Sequence, residues 1–145
     1  TFQNAGIPTT IYRIGVVLSP TGGALAKMNT PIITPIGNGK QYLPWIHIED
    51  LTNLFIKAIE DSNFTGIYNA VSPNHQTSTS FSKCLATKSK KPFLSIGVPK
   101  FLLQLVFGKM AIMLTTGSRV SSSKLENSGY EFSFNKLEDA LDDLL

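Results

Sequence analysis

The sequence is poor in cysteine and histidine, and this shortage excludes two common kinds of site. Cys84 is the single cysteine among 145 residues, so no intrachain disulfide can form and a reducing compartment is expected. Only His47 and His75 could join it in binding a metal, and this set is too small for an ordinary zinc site. We therefore predict no disulfide and no metal centre.

Long apolar runs are also missing. The most apolar stretch, Phe101 to Leu114, is interrupted by Gln104 and by Gly108-Lys109. It is shorter than the ~18 residues that a membrane span requires, and the N-terminus shows no charged start followed by an apolar segment. We expect a cytoplasmic protein without a membrane partner.

The sequence has no large excess of positive or negative charge. The chain has 13 basic and 10 acidic residues, and its one dense basic cluster consists of Lys88, Lys90 and Lys91. A nucleic-acid site needs a basic stripe backed by stacking aromatic residues, so we expect no nucleic-acid partner and place these lysines in a solvated loop. With 42% hydrophobic residues, the composition fits one ordinary globular domain.

The clearest structural signal lies between residues 37 and 59. A turn bracketed by glycines leads into a run of aromatic and β-branched residues, Tyr42 to Ile48, which is typical of a strand. A helix follows directly, because Glu49 and Asp50 suit the positive end of a helix dipole. Its predicted apolar face consists of Leu51, Leu54, Phe55, Ala58 and Ile59.

Two further runs predict a parallel sheet. Thr10 to Leu18 is rich in Ile, Val and Tyr without polar alternation, which predicts a strand buried on both faces. Gly66 to Val71 predicts a second short buried strand. A helix separates this strand from the run at Tyr42 to Ile48, so the order indicates a βαβ-like unit with parallel pairing. The predicted fold class is α/β, with a few parallel strands beside a mostly helical part.

Helix signals continue towards the C-terminus. Thr77 or Ser78 is expected to cap a helix that ends near Ala86. Asn135 and Glu138 form a capping-box-like pair at the start of a terminal helix. The predicted apolar stripe of that helix is Leu137, Ala140, Leu141 and Leu144.

Weaker signals predict the remaining elements. We expect a short helix at Ala24 to Met28 and a short strand at Phe93 to Ile96. Pro99 suits the first position of an apolar helix over Lys100 to Phe107, which Gly108 separates from Met110 to Leu114. Thr1 to Pro8 has the pattern of a helix end, since Ala5-Gly6 can stop a helix and Pro8 cannot continue one.

Several segments together carry a resemblance to a known family. In chain order they are Arg13-Ile-Gly-Val-Val-Leu18, Gly22-Gly-Ala-Leu-Ala-Lys27, Gly37-Asn-Gly-Lys-Gln41, Trp45-Ile-His-Ile-Glu-Asp-Leu51, Tyr68-Asn-Ala-Val-Ser-Pro73 and Lys124-Leu-Glu-Asn-Ser-Gly-Tyr-Glu-Phe132. The sequence resembles the epimerase-like subfamily of extended short-chain dehydrogenase/reductases, which are NAD(P)-dependent, over essentially its whole length. The resemblance implies the C-terminal part of a Rossmann-type fold. Residues 10–18 and 66–71 would be its last Rossmann strands, and residues 19–47 and 72–145 its substrate-binding lobe.

Two motifs that such an enzyme needs are absent from the sequence. The glycine pairs at residues 22–23 and 37–39 lack the spacing of a pyrophosphate-binding turn. A catalytic Tyr-x-x-x-Lys is also missing, because the residues four places after the tyrosines are Val16, Ile46, Ser72 and Phe134. In the family both motifs lie upstream of the position that matches Thr1. The resemblance therefore implies no catalytic residue here, and we expect this chain alone to be inactive and to bind no cofactor.

The resemblance also implies binding residues for the intact protein. The end of the first strand, Leu18, Ser19 and Pro20, would reach the nicotinamide end of NAD or NADP, although a plain strand-to-loop turn is the alternative. Arg119 matches an arginine in the family's Gly-x-Arg segment and could hold a phosphate or carboxylate. Trp45 could line the substrate pocket or fill the seam between lobes.

Three other polar residues have open roles. Arg13 is predicted to lie in a buried strand, where an unpaired charge would be costly, so the favoured interpretation is a pair with a carboxylate from the missing half of the intact protein, and a substrate role is the alternative. His47 and Asp50 have the spacing of a catalytic dyad or metal pair. The alternative, which the sequence favours, is that Asp50 serves the helix start and His47 faces a neighbouring backbone.

Two functions from different classes follow. The first is the substrate-binding portion of an NAD(P)-dependent epimerase, dehydratase or reductase that acts on a small molecule. The second is a non-catalytic interaction module, in which exposed apolar surface forms a homo-oligomer.

Overall fold

The computed structural model describes residues 6–98, 105 and 117–145. In chain order the elements are β1 (Thr10–Ile14), β2 (Val16–Leu18), α1 (Gly23–Met28), β3 (Trp45–His47), α2 (Ile48–Glu60), β4 (Gly66–Ala70), α3 (Ser78–Lys88), α4 (Ser123–Asn127) and α5 (Leu137–Leu144). The predicted α/β class is confirmed. The predicted helices over 100–107 and 110–114 lie outside the described residues, apart from Leu105. Most of the predicted helix end at Thr1 to Pro8 lies outside them too.

The strands form two parallel pairs. β1 pairs with β4, and β2 pairs with β3. The run predicted as one strand is therefore split at Gly15, where the partner changes: the Gly15 N–H donates to the Ala70 carbonyl and the Val16 N–H to the Pro44 carbonyl. A Cβ at Gly15 would lie 2.7 Å from the Pro44 oxygen and 2.9 Å from a methyl of Val71, so only glycine fits. The strands pair in parallel, as predicted, but the first run is not continuous, and the two strands of the predicted βαβ-like unit, β3 and β4, pair with β2 and β1 and not with each other.

Burial of the first strand on both faces was wrong. Tyr12 and Tyr68, which are partners in the β1–β4 register, pack towards α2 and its neighbours. Successive side chains alternate between the two faces of a strand. Their neighbours Ile11 and Ile67, also register partners, lie on the opposite face, and each is 42% exposed. Only one face of this sheet is covered by the described residues.

The predicted face of α2 is partly correct. Leu51 and Leu54 are buried, and Ala58 packs against them. Phe55 is 47% exposed and Ile59 84% exposed, because the neighbouring core does not reach that side of the helix. The apolar residues of α2 thus extend beyond the surface that the described structure covers.

The helices α3 and α5 pack against each other on the larger of two apolar clusters. Thr77 caps α3 and forms a capping box with Ser80, which confirms the predicted helix start. The capping box predicted for α5 is wrong, since Lys136 is the N-cap and makes no side-chain capping bond. The predicted stripe of α5 is confirmed, and all four of its residues are buried: Leu137, Ala140, Leu141 and Leu144.

Two smaller expectations are corrected. The predicted strand at Phe93 to Ile96 is reduced to an isolated bridge between Ile33 and Phe93. The three clustered lysines do not all lie in a solvated loop, because Lys88 ends α3 and pairs with Asp142 of α5, while the Lys91 ammonium donates to the side chain and carbonyl of Asn29. Within the described part of the chain, no helix has the length and apolarity needed to cross a bilayer.

Candidate functional site

The structure brings together two of the residues predicted to bind substrate. Arg13 and Arg119, which are 106 positions apart, line one open cleft of about 420 Å³. The other residues that line it are Ile14, Gly15, Pro44, Asn69, Val71, Val120 and Ser121. This volume lies in the ordinary range for small-molecule pockets. The cleft is therefore the candidate functional site.

Arg13 reaches this cleft because it lies near the carboxyl end of β1. It is opposite Asn69 of β4 in the strand register, so both residues lie on the same sheet face. Ligands of parallel sheets gather at the carboxyl ends of the strands. The expectation that Arg13 is buried was wrong: it is exposed, because nothing in the described structure covers this face, and its charge stays hydrated. Among the described residues, no carboxylate lies within salt-bridge distance of it.

The segment that carries Arg119 is held against the rest of the molecule on both sides of that residue. A Cβ at Gly117 would lie 1.8 Å from the Tyr42 carbonyl oxygen, so the backbone makes a close contact that only glycine allows. His75 Nε2 lies 3.0 Å from the Val120 carbonyl, and Asn69 Nδ2 donates to the Ser121 carbonyl at 3.0 Å. Arg119 itself is exposed. These contacts link segments distant in sequence, and no local pattern could have predicted them.

The predicted cofactor residues lie elsewhere, at the carboxyl end of β2. Leu18 is fully buried and pairs with His47 in the register with β3. Ser19 is half-buried and Pro20 exposed, so these two residues are the part of the segment that can contact a ligand. None of the three lines the cleft of Arg13 and Arg119.

Trp45 is placed in the interior. Its side chain is 1% exposed within the larger apolar cluster, and its indole N–H donates to the Asn74 carbonyl at 3.0 Å. A buried tryptophan whose N–H is paired suits packing. The arrangement favours the seam-filling interpretation over contact with substrate.

His47 caps α2 and is not part of a dyad with Asp50. Its Nδ1 accepts the Glu49 N–H at 3.2 Å, which requires the proton of the neutral ring to be on Nε2. That nitrogen lies 3.3 Å from Oδ2 of Asp143, and the ring stacks on Phe134 with centroids 3.8 Å apart. The predicted structural role for His47 is supported.

Asp50 has a role that the sequence did not reveal. Its fully buried carboxylate accepts the N–H groups of Ser133, at 2.7 Å, and Phe134, at 3.1 Å. The Tyr130 hydroxyl donates to the Asp50 carbonyl at 2.8 Å. Burial raises the pKa of Asp50, and the two backbone hydrogen bonds oppose that rise. The carboxylate fixes a distant segment to α2, beyond any part it plays at the helix start.

Among the described residues, the other reactive groups supply no second site. The half-buried Cys84 thiol has its pKa raised to about 11, first by burial and then by Glu138, so it is not a nucleophile at neutral pH. In residues 6–98 and 117–145, no three His, Cys, Asp or Glu side chains are grouped as metal ligands.

The glycine turns do not fit a cofactor pyrophosphate. Gly22 precedes α1, which has only six residues, and the turn at Gly37 and Gly39 opens no helix. A pyrophosphate site of the Rossmann type uses the N–H groups at the start of a full helix. The described residues therefore contain no such cradle.

Parallel strands connected through helices, with a polar cleft at the ends of β1 and β4, define part of a Rossmann-type α/β protein. The family described as "Domain of unknown function (DUF1731)" matches residues 98–144. The mouse epimerase family protein SDR39U1 is 37% identical over 140 residues, which are 93% of this chain and 47% of the relative. Over nearly its whole length the chain is thus similar to the C-terminal portion of these epimerase family proteins.

Solved structures show the same similarity. The human epimerase family protein SDR39U1 (isoform 2), crystallised with NADPH, is 34% identical with a TM-score of 0.85, over 93% of this chain and 47% of that one. A nucleoside-diphosphate sugar epimerase from Corynebacterium glutamicum is 27% identical with a TM-score of 0.74, over 98% of this chain and 27% of that one. The chain thus spans about half the length of the curated relatives it matches.

Proposed function

We propose that this chain is the substrate-binding portion of an NAD(P)-dependent epimerase, dehydratase or reductase. The observation that carries the proposal is the convergence of Arg13 and Arg119 on one cleft at the ends of parallel strands. The likeness to an NADPH-bound human relative over 93% of the chain supports the cofactor class.

The cleft is suited to an anionic substrate group. Two guanidinium groups can each make paired hydrogen bonds to a phosphate or a carboxylate. Asn69 and Ser121 add polar groups to the same walls, while Ile14, Pro44 and Val71 supply apolar surface. The related Corynebacterium glutamicum protein is named as a nucleoside-diphosphate sugar epimerase, which supports a phosphate-bearing small molecule.

The chemical step needs groups from outside this chain. In the intact protein NAD or NADP would carry the hydride, and Ser19 and Pro20, positioned by the buried Leu18, would lie at its nicotinamide end. The described residues hold neither a pyrophosphate cradle nor a tyrosine with a lysine one helical turn on. Alone, the chain is expected to be inactive and to bind no cofactor, and its single cysteine suits the cytoplasm.

Calorimetry on the 145-residue chain tests both parts of this proposal. Inorganic pyrophosphate should bind wild type, and Arg13→Ala and Arg119→Ala should each weaken binding by about tenfold or more, because each removes charge-assisted hydrogen bonds. Lys40→Ala, which removes an exposed cation outside the cleft, is the matched control. NADPH should give no heat. Micromolar NADPH binding, or equal pyrophosphate affinity in all variants, would contradict the proposal.

A non-catalytic interaction module is the second candidate function. The exposed isoleucines of β1 and β4 and the outward side of α2 favour it, because parallel sheets are ordinarily covered on both faces. The predicted apolar helices over 100–107 and 110–114, which would add to this surface, lie outside the described residues apart from Leu105.

A further inference from the structure

We propose that Asn69 and His75 are positioning residues that hold Arg119 in place over the cleft. The inference rests on the proposed anion-binding role of the cleft and gives a role to two residues to which the sequence analysis assigned none. Neither residue needs to touch substrate to act. Each acts through the backbone of the residues directly after Arg119.

The first step of the argument is the placement of the two hydrogen bonds. Asn69 Nδ2 donates to the carbonyl of Ser121, and His75 Nε2 faces the carbonyl of Val120, both at 3.0 Å. These carbonyls belong to the two residues directly after Arg119. Asn69 lies near the end of β4, and His75 lies in the loop that follows it. Their side chains therefore hold the backbone on the C-terminal side of Arg119.

The second step is the contact on the N-terminal side. Gly117 lies against the Tyr42 carbonyl so closely that no side chain fits there. The Tyr42 ring also meets the His75 ring edge-on, with centroids 6.5 Å apart and planes at 84°. Tyr42 thus contacts both the start of the segment and the imidazole that holds its end. Arg119 and its neighbour Ser118 are exposed between these two points of contact.

The third step concerns the free energy of binding. An exposed arginine on a free loop loses backbone and side-chain freedom when it binds an anion, and that loss lowers affinity. A backbone already fixed at residues 117, 120 and 121 has lost part of this freedom beforehand. Asn69 lies on the cleft wall beside Arg13, so its hydrogen bond fixes the distance between the β1 side and the Arg119 side of the site.

Paired substitutions separate positioning from direct contact. His75→Phe keeps a ring but loses the donor, whereas His75→Gln keeps an N–H donor near the position of Nε2. We expect His75→Phe and Asn69→Ala to weaken pyrophosphate binding about fivefold each, the value of one hydrogen bond. His75→Gln should bind within about twofold of wild type by the same reasoning. Thr52→Ala, which removes an exposed hydroxyl bonded within α2, is the matched control.

A double-mutant cycle shows whether the effect passes through Arg119. In an Arg119→Ala background, adding His75→Phe or Asn69→Ala should cause no further loss of affinity, because the residue they position is gone. Amide hydrogen exchange of residues 118–120 in the free chain supplies a readout without ligand, and it should accelerate in both single variants.

The outcomes distinguish this inference from the proposed function. If Arg119→Ala binds pyrophosphate like wild type, the anion site itself is wrong. If Arg119→Ala is weakened but His75→Phe and Asn69→Ala keep full affinity, only the positioning role is overturned. Equal losses in the presence and absence of Arg119 would also overturn it, since the two residues would then act elsewhere. The positioning role is supported if His75→Gln keeps near-wild-type affinity and if His75→Phe and Asn69→Ala cause no further loss in the Arg119→Ala background.

Discussion

Asp50 shows how much one side chain can determine in this molecule. Its buried carboxylate accepts two backbone N–H groups from a segment more than 80 residues away, and its own carbonyl accepts the Tyr130 hydroxyl. Buried N–H groups are costly when they lose their partners. The path of the chain from α4 to α5 therefore depends on a residue in the first turn of α2.

At this scale we predict the effect of Asp50→Asn on stability. The amide can accept one of the two N–H groups but presents an NH₂ donor to the other, which is left unpaired. The free energy of unfolding should fall by about 2 kcal/mol at pH 7, in the range for charged hydrogen bonds. Urea denaturation measures the change, with Glu49→Gln, an exposed neighbour in the same turn, as the control. An unchanged urea midpoint for Asp50→Asn would show that the hydrogen bonds from the Ser133 and Phe134 N–H groups to the Asp50 carboxylate do not contribute to stability.

Single residues were harder to interpret from sequence than elements. Glu49 and Asp50 both suited a helix start, yet only the folded chain shows that Asp50 faces inwards to a partner far along the sequence. Arg13 was expected to be buried, because its neighbours in the strand are apolar, and this was wrong since one sheet face is uncovered. The candidate binding role of Arg119 was taken from the resemblance, but only the folded chain shows that Arg119 lines the same cleft as Arg13.

At the scale of elements, β1 is joined to α2 by the side chain of Tyr12. The hydroxyl donates to the Leu54 carbonyl at 2.6 Å, and the ring meets Phe55 edge-on at 5.1 Å. Burial raises the pKa of Tyr12 to about 12, with a smaller contribution from Tyr68. The sheet and the helix are thus linked by a contact that weakens in alkali.

This predicts a pH-dependent effect of Tyr12→Phe. At pH 7 the variant should lose about 1 kcal/mol of unfolding free energy, the value of one hydrogen bond. Because the folded-state pKa is raised above 10.0, the wild type keeps its stability below pH 10.0 and loses it as the pH rises towards 12. The difference between the two proteins should therefore shrink over that interval.

Denaturation at a series of pH values checks this, together with tyrosinate absorbance at 295 nm. A stability difference that stays constant up to pH 12 would contradict the assigned role of the hydroxyl.

Elements with strong local signals were predicted well. Thr77 caps α3 as expected, and the stripe of α5 is buried. The failures arose where tertiary context decides: the strand broken at Gly15 looks continuous in sequence because glycine fits both an extended chain and a change of partner. Phe55 and Ile59 have the spacing of a buried helix face, but the described residues do not cover that side of α2.

At the scale of the whole molecule, one sheet face lacks a cover in the described structure. Ile11 and Ile67 form a register pair on that face, and the cleft of Arg13 and Asn69 continues along the same strands. Apolar surface of this kind favours association. The relatives, about twice as long as this chain, have further sequence that could cover it.

We predict that the isolated chain self-associates through this face. Ile11→Ser combined with Ile67→Ser should weaken association by about 100-fold, because the isoleucine side chains of both copies would no longer be there to be buried on association. Ile32→Ser, an equally apolar and 54% exposed control outside the sheet, should have little effect. Light scattering across a concentration series measures the change. A wild-type chain that stays monomeric at high concentration would count against the interaction module.

β1 and β2 follow each other along the chain with only Gly15 between them, and this gives the proposed substrate site a length scale. Arg13 and Ser19 are six positions apart on one extended segment, which spans at most about 20 Å. A molecule whose anionic end is held at Arg13 and whose reacting carbon meets a nicotinamide near Ser19 has to bridge that interval. Under the proposed roles of Arg13 and Ser19, the length of backbone between them would limit which substrates fit.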